Sequence, residues 1–348
     1  MKRLLLLCLL TGMIGISTPF AQSQNQESEN RTGEFSGVFF GDFYWFPSSH
    51  DATLEGNNGF WIRRIYFTYD KDINDSFSTR LRLEMNSEGD FITNSKLFPS
   101  VKDAYLRWRN GDHSVYAGIA STPTWALVED VWGYRPVEKS PLDLHQFGSS
   151  RDLGIAVKGQ VGTDNRIGYH FMFGNGNSNR TELNRQKKFM LSLSYRLTDR
   201  LVVQGYGDYN GLGNNRDIYT AQLFIGYESE SITAGALYAY QFRNNTVQNG
   251  DLNLDLASLF LRAPISQNIN GYLRADHMFD PNPSGPGIDY LPMDDRTSRT
   301  VLIGGLDVEL GRDVHLMPNI ETVVYGESSV GVRPDADVVP RLTLMYRY

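Results

Sequence analysis

The chain has 348 residues, with 33 Lys and Arg against 40 Asp and Glu, a formal net charge of −7 and a single cysteine. An acidic balance argues against a general nucleic-acid binder, for which a basic surface is expected. Cys8 is the one thiol, so disulfide frameworks and thiolate metal sites are excluded from everything after it.

Met1-Lys2-Arg3 is a short basic start, Leu4 to Ile16 is apolar, and Ala21 is a small residue before a polar Gln/Asn/Ser/Glu stretch. Residues 1–21 therefore read as a secretory signal peptide. The apolar run of 13 residues falls short of the roughly 20 that an anchoring helix needs. Cleavage near Ala21 would remove Lys2 and Arg3, take the net charge to −9 and leave 22–32 as a polar N-terminal segment. No later segment approaches a spanning helix, so a membrane crossing here must be made of strands.

From residue 33 onward about 16 candidate strands follow, and the connections between them alternate in length. Brief polar turns fall at 71–75, 110–112, 162–165, 197–200, 228–230, 266–268 and 311–313. Longer segments rich in Gly, Pro, Asn and Asp fall at 47–58, 87–100, 175–186, 280–298 and 326–337. Outer-membrane barrels show this asymmetry, with short periplasmic turns and long external loops.

The strands carry a period of two. Phe77, Thr79, Leu81, Leu83 and Met85 oppose Ser78, Arg80, Arg82, Glu84 and Asn86, and Phe189, Leu191, Leu193 and Tyr195 oppose Lys188, Met190, Ser192, Ser194 and Arg196. Segments of about 10 residues with one greasy and one charged phase suit a wall between lipid and water. Two segments are less regular: 252–262 could face either way, and Arg63 shares a phase with Trp61, Ile65 and Phe67, which places it at a rim. The last nine residues alternate Leu342, Leu344, Tyr346, Tyr348 with Arg341, Thr343, Met345, Arg347. An aromatic final residue resembles the C-terminal assembly signal of bacterial outer-membrane barrels. A soluble sandwich also alternates, but 19 Tyr, 19 Phe and 5 Trp suit the aromatic girdles of a barrel. The expected fold is all-β, a transmembrane antiparallel barrel spanning 33–348 in the bacterial outer membrane, in contact with bilayer lipid and lipopolysaccharide.

The longest interruption, 122–150, is the third external loop. Its Thr124 to Trp132 stretch has the pattern of a short helix that packs an apolar side on the inner wall while Glu129 and Asp130 face water. With Arg135 and Lys139 these are the candidate constriction residues. An extracellular cap is the alternative. On inward phases lie Arg64, Arg80, Arg82, Arg107, Arg109, Lys158, Lys188, Arg196, Arg274, Arg341 and Arg347, together with Glu84, Asp103, Asp152, Asp208, Asp276, Asp307, Glu309 and Glu321. Such a set forms either an anion-favouring ladder, since charged rings set pore selectivity, or mutually neutralised pairs that brace the wall.

Gly59-Phe60-Trp61-Ile62-Arg63-Arg64, Lys102-Asp103-Ala104-Tyr105, Gly118 with Pro123, and Arg151-Asp152-Leu153-Gly154 resemble the phosphate-selective porin O and P family. The likeness is fullest over 33–176. It implies a 16-stranded barrel, commonly a homotrimer, that passes small anions through an arginine-lined constriction. The six His are scattered without metal-ligand spacing, and no nucleophile elbow or phosphate-cradling glycine motif occurs. Ser194 and His170, the nearest approach to a hydrolase pair, fall on inward phases. The expectation is a passive channel for small hydrophilic solutes, without enzymatic activity, cofactor or metal. A plugged barrel that binds a partner through its external loops is the alternative.

Overall fold

A computed structural model describes residues 32–348 apart from 88–90, 92–93, 95, 163, 214–215, 247–249 and 284–289. The expected signal peptide and residues 22–31 of the polar segment lie outside the described residues. Among the described residues there are sixteen strands: β1 (Glu34–Trp45), β2 (Asn58–Asp72), β3 (Phe77–Met85), β4 (Ser100–Asn110), β5 (His113–Ser121), β6 (Arg151–Val161), β7 (Ile167–Gly174), β8 (Lys188–Arg196), β9 (Leu201–Gly211), β10 (Asp217–Glu228), β11 (Thr233–Thr246), β12 (Gly250–Ser266), β13 (Ile269–Met278), β14 (Arg299–Gly311), β15 (Val314–Tyr325) and β16 (Asp337–Arg347). Each pairs antiparallel with its sequence neighbours, and β1 pairs with β16 to close the barrel. Closure leaves no strand edge unpaired, which is what a hydrocarbon surrounding demands of a sheet. The short turns gather at one end and the long loops at the other, with two exceptions: β9 to β10 and β11 to β12 are joined briefly at the loop end.

Alternation decides the two faces. In β8, Phe189, Leu191, Leu193 and Tyr195 are exposed on the outside, whereas Lys188, Met190 and Ser192 are buried inside. In the ambiguous β12 segment, Leu254, Leu256, Ser258 and Phe260 turn inward and Leu259 and Leu261 outward.

Arg63 does not sit at a rim. Phe40 pairs with Arg64 but Gly41 pairs with Ile62, so Arg63 is the extra residue of a β-bulge. A bulge shifts the phase of the strand, and here it turns Trp61, Arg63 and Arg64 all into the barrel while Phe67 stays outside. A second bulge, with Asp103 opposite Arg82 and Val101 opposite Leu83, brings Lys102 in beside Asp103.

The closing seam is held by aromatics. Phe39 stacks on Tyr346 with ring centroids 5.0 Å apart. Tyr348 exchanges backbone hydrogen bonds with Gly37, donating at 3.1 Å and accepting at 2.7 Å. Its ring covers Gly37 where a Cβ would collide with it, the arrangement by which an aromatic shields a strand glycine.

The apolar core lies inside the barrel and on one side of it. Phe224, Leu237, Leu254, Leu256, Phe260 and Tyr272 line the inner wall of β10 to β13, and Val301, Ile303, Met317, Val323 and Val339 continue it to β16. Such a wall cannot border water over its whole length, and it is covered by chain segments from the loop end.

Candidate functional site

Residues 122–150 leave β5, cross the interior and return to β6. Helix α1 (Ala126–Trp132) packs against β10, β11 and β12, and Val128, Val131 and Trp132 are fully buried there. Gly133 ends the helix in the left-handed region at φ 75°, its N–H donating to Glu129 O, as a glycine cap does. A shorter turn, α2 (Pro141–Leu144), buries Leu142 and Leu144. Glu129 is half-buried and Asp130 exposed on the opposite side of α1.

Irregular backbone inside a barrel needs partners for its carbonyls, and wall side chains supply them. Gln241 Nε2 donates to Phe147 O at 2.8 Å, Asn282 Nδ2 to His145 O at 2.9 Å, Arg63 Nη1 to Pro136 O at 3.4 Å, and Arg274 to Lys139 O. The loop is therefore pinned along its length.

Beneath it is a buried ion cluster. Arg63, fully buried, pairs with Asp42, with Glu321 at 3.3 Å and with Glu138 of the loop at 4.0 Å. Arg341 pairs with Asp42 at 3.6 Å and Glu321 at 3.5 Å. A second loop enters as well: Tyr290 and Leu291, between β13 and β14, are fully buried. The Tyr290 hydroxyl donates to Arg63 O at 3.0 Å, and its carbonyl accepts from Arg341.

The interior left open lies along the β2 to β9 wall. At the loop end is a cavity of about 600 Å³ lined, among the described residues, by eight basic residues, Arg64, Lys102, Arg135, Lys139, Arg151, Arg180, Lys188 and Arg243, against three acidic ones, Glu84, Asp143 and Asp152. Several of these cations are paired. Arg64 lies 3.3 Å and Lys102 2.9 Å from Glu84, Arg135 lies 3.4 Å from Glu129, Arg151 pairs with Asp103 and Lys188 with Asp208 at 2.9 Å.

Toward the turn end Arg80 forks onto Asp70 at 2.7 and 2.9 Å. Arg82 donates to Thr68 Oγ1 at 2.9 Å and lies 3.5 Å from Asp103. Arg107 donates to Ser78 at 2.8 Å, and Lys158 sits 4.9 Å over the Tyr116 ring. Among the described residues neither Arg107 nor Lys158 has a carboxylate within ion-pair distance. Arg109 and Arg196 are exposed at the turn end.

Arg274, expected to line the pore, does not. It is sealed under the loop, bonded to Asp276 and Lys139 O with no side-chain exposure, because the apolar side of the lumen is the side the loop covers. Lys102, Arg151 and Tyr290 were missed as lining or supporting residues. Consecutive basic or charged residues that interrupt the alternation, Arg63-Arg64 and Lys102-Asp103, are the signal that marks the bulges. Tyr290 carries no such signal.

Burial raises the Glu129 carboxyl above its usual range, with Arg135 opposing. His145 is buried beside Asp276, Arg274 and Arg299, and burial outweighs the Asp276 carboxylate to hold its imidazole at about 4. A histidine so depressed is neutral when folded and protonates when unfolded, so its contribution is full above pH 6.5 and is lost as pH falls toward 4, by up to about 3 kcal/mol. The stability difference between wild type and His145→Gln, read by urea unfolding in detergent, is expected to fall between pH 7 and 4. A pH-independent difference refutes it.

No family model matches the sequence, and no curated protein matches it either. Among solved structures, the fold is similar to an anion-selective porin from Comamonas acidovorans, at TM-score 0.65 and 12% identity over 91% of this chain and 99% of that one. It is similar to the outer membrane channel DcaP of Acinetobacter baumannii, at 0.64 and 11% over 91% and 97%. A trimer form of in-vitro folded OmpT, an outer membrane protein of Vibrio cholerae, matches at 0.58 and 12% over 91% and 99%. These likenesses place the chain in the 16-stranded porin fold.

Proposed function

We propose that this protein is a channel of the bacterial outer membrane through which small hydrophilic solutes diffuse, with a preference for anions. The observation that carries the preference is the loop-end cavity, where, among the described residues, eight basic side chains face three acidic ones. Arg107 and Lys158 continue the cationic path toward the turn end. Fixed cations along a wet path lower the barrier for anions and raise it for cations. Residues 122–150 and Tyr290 narrow the lumen by covering its apolar side, and no cofactor is required.

The resemblance to phosphate-selective porins supports a small-anion channel more than phosphate itself, since 122–150 holds Arg135 and Lys139 as its bases against Glu129, Asp130, Glu138 and Asp143. A homotrimer is supported by that resemblance and by the solved trimer form of a fold neighbour. Bilayer lipid and lipopolysaccharide are the partners of the greasy outer wall. The entry of two loops into the barrel favours, as a second reading, a plugged barrel that binds a partner at its loop end.

Conductance in a planar bilayer separates the two, because a plugged barrel gives no steps. Arg82→Ala and Arg107→Ala are expected to lower the chloride-to-potassium permeability ratio about two- to fivefold, the effect of losing a unit charge worth up to about 1 kcal/mol in a hydrated pore. Reversal potentials in a salt gradient that match wild type would refute the cationic ladder along this wall.

A further inference from the structure

Four cations share one phenol ring inside this barrel. Arg63 lies 4.6 Å from the Tyr290 centroid, Arg64 5.3 Å, Lys139 5.3 Å and Arg135 5.8 Å. We infer that Tyr290 is a positioning residue for the anion path: its ring holds Arg64 and Arg135 in the wall of the loop-end cavity. The inference rests on the channel reading above and deepens it, by naming what keeps the selective cations in place.

The ring is a fixed support. It is fully buried, its hydroxyl is tied to Arg63 O and its carbonyl to Arg341, and Arg63 is itself held by Asp42 and Glu321. The negative face of an aromatic ring attracts guanidinium and ammonium groups, most strongly where water is excluded. Here it also lets like charges gather that would otherwise separate.

Arg64 and Arg135 each have a carboxylate nearby, Glu84 at 3.3 Å and Glu129 at 3.4 Å. Neither is fully engaged by it. Arg64 Nη1 donates to Arg63 O at 2.9 Å, and among the described residues the buried Arg64 Nε and Arg135 Nη1 make no aligned hydrogen bond. Both line the cavity. Held off full pairing by a common ring, the two guanidinium groups keep their positive charge directed at the cavity, where it attracts a passing oxyanion such as a carboxylate or a phosphate. With the ring gone, each arginine is free to close on its own carboxylate, which cancels more of its field in the cavity without removing a charge.

The test is bilayer electrophysiology on Tyr290→Ala, Tyr290→Leu, Tyr290→Phe and Arg135→Ala, each first shown to fold by its heat-modifiable migration. Tyr290→Leu keeps a buried apolar side chain but no π face, and Tyr290→Phe keeps the face without the hydroxyl. The expected result is a chloride-to-potassium ratio lowered about threefold in the Ala and Leu variants and in Arg135→Ala, with Tyr290→Phe close to wild type. Inorganic phosphate should block chloride current at lower concentration in wild type and Tyr290→Phe than in the Ala and Leu variants. Wild-type selectivity in Tyr290→Leu, or a loss in Tyr290→Phe equal to that in Tyr290→Ala, overturns the positioning role while Arg135→Ala still reports on the channel. An Arg135→Ala ratio equal to wild type overturns the role as well, and absence of conductance steps from every protein overturns both readings.

Discussion

Replacing Arg63 with alanine is expected to destabilise the barrel by about 3–5 kcal/mol, the cost of removing one partner from a buried ion cluster. The guanidinium is surrounded by Asp42, Glu138 and Glu321, all buried. Without it, among the described residues, Arg341 is the cation left within ion-pair distance of Asp42 and Glu321, and Glu138 of the inserted loop loses its ion pair to the wall. The contact to Pro136 O is lost too, so the loop loses an anchor as well as a charge. Denaturant unfolding in detergent measures the first effect, and faster hydrogen exchange over 134–140 measures the second. Stability within about 1 kcal/mol of wild type would mean that the cluster relaxes by protonation or hydration rather than depending on Arg63.

Trp132→Ala is expected to cost a similar amount, about 3–5 kcal/mol, because a fully buried indole leaves a cavity that its neighbours only partly fill. The ring meets Phe260 at 5.4 Å, Tyr134 at 5.6 Å and Tyr272 at 6.0 Å between centroids, and Arg274 lies 5.3 Å above it. Its Nε1 donates to Glu138 O at 3.2 Å. The indole joins the helix to the β12 and β13 wall and to the ion cluster at once. The substitution should therefore free 122–150 and raise both single-channel conductance and its noise. Unaltered current traces together with unaltered exchange protection of 126–147 would contradict this account of the loop.

These two side chains also mark how far a reading along the chain could reach. The alternation of Phe189, Leu191 and Leu193 against Lys188, Met190 and Ser192 is a local signal, since neighbouring side chains in a strand must point to opposite faces. Where a single residue is inserted the rule inverts, and Arg63, which the alternation puts at a rim, lies fully buried inside the barrel wall. Trp132 was legible as part of a short apolar helix, but the wall rings it meets, Phe260 and Tyr272, stand on strands β12 and β13, far along the chain. Arg274 shows the reverse case: its inward phase was legible, while its removal from water by a loop from elsewhere in the chain was not.

The amino-acid order by itself determined the strand count, the alternating turns and loops, and which face of most strands is greasy, because each of these follows from a period of two and from turn residues within a few positions. Only the tertiary structure decided which charges meet water, which are consumed by one another, and that two loops cover one side of the lumen. Those outcomes depend on approaches such as Asp42 to Arg63 to Glu138 to Glu321, which join residues far apart in the chain and exist only once the cylinder has closed.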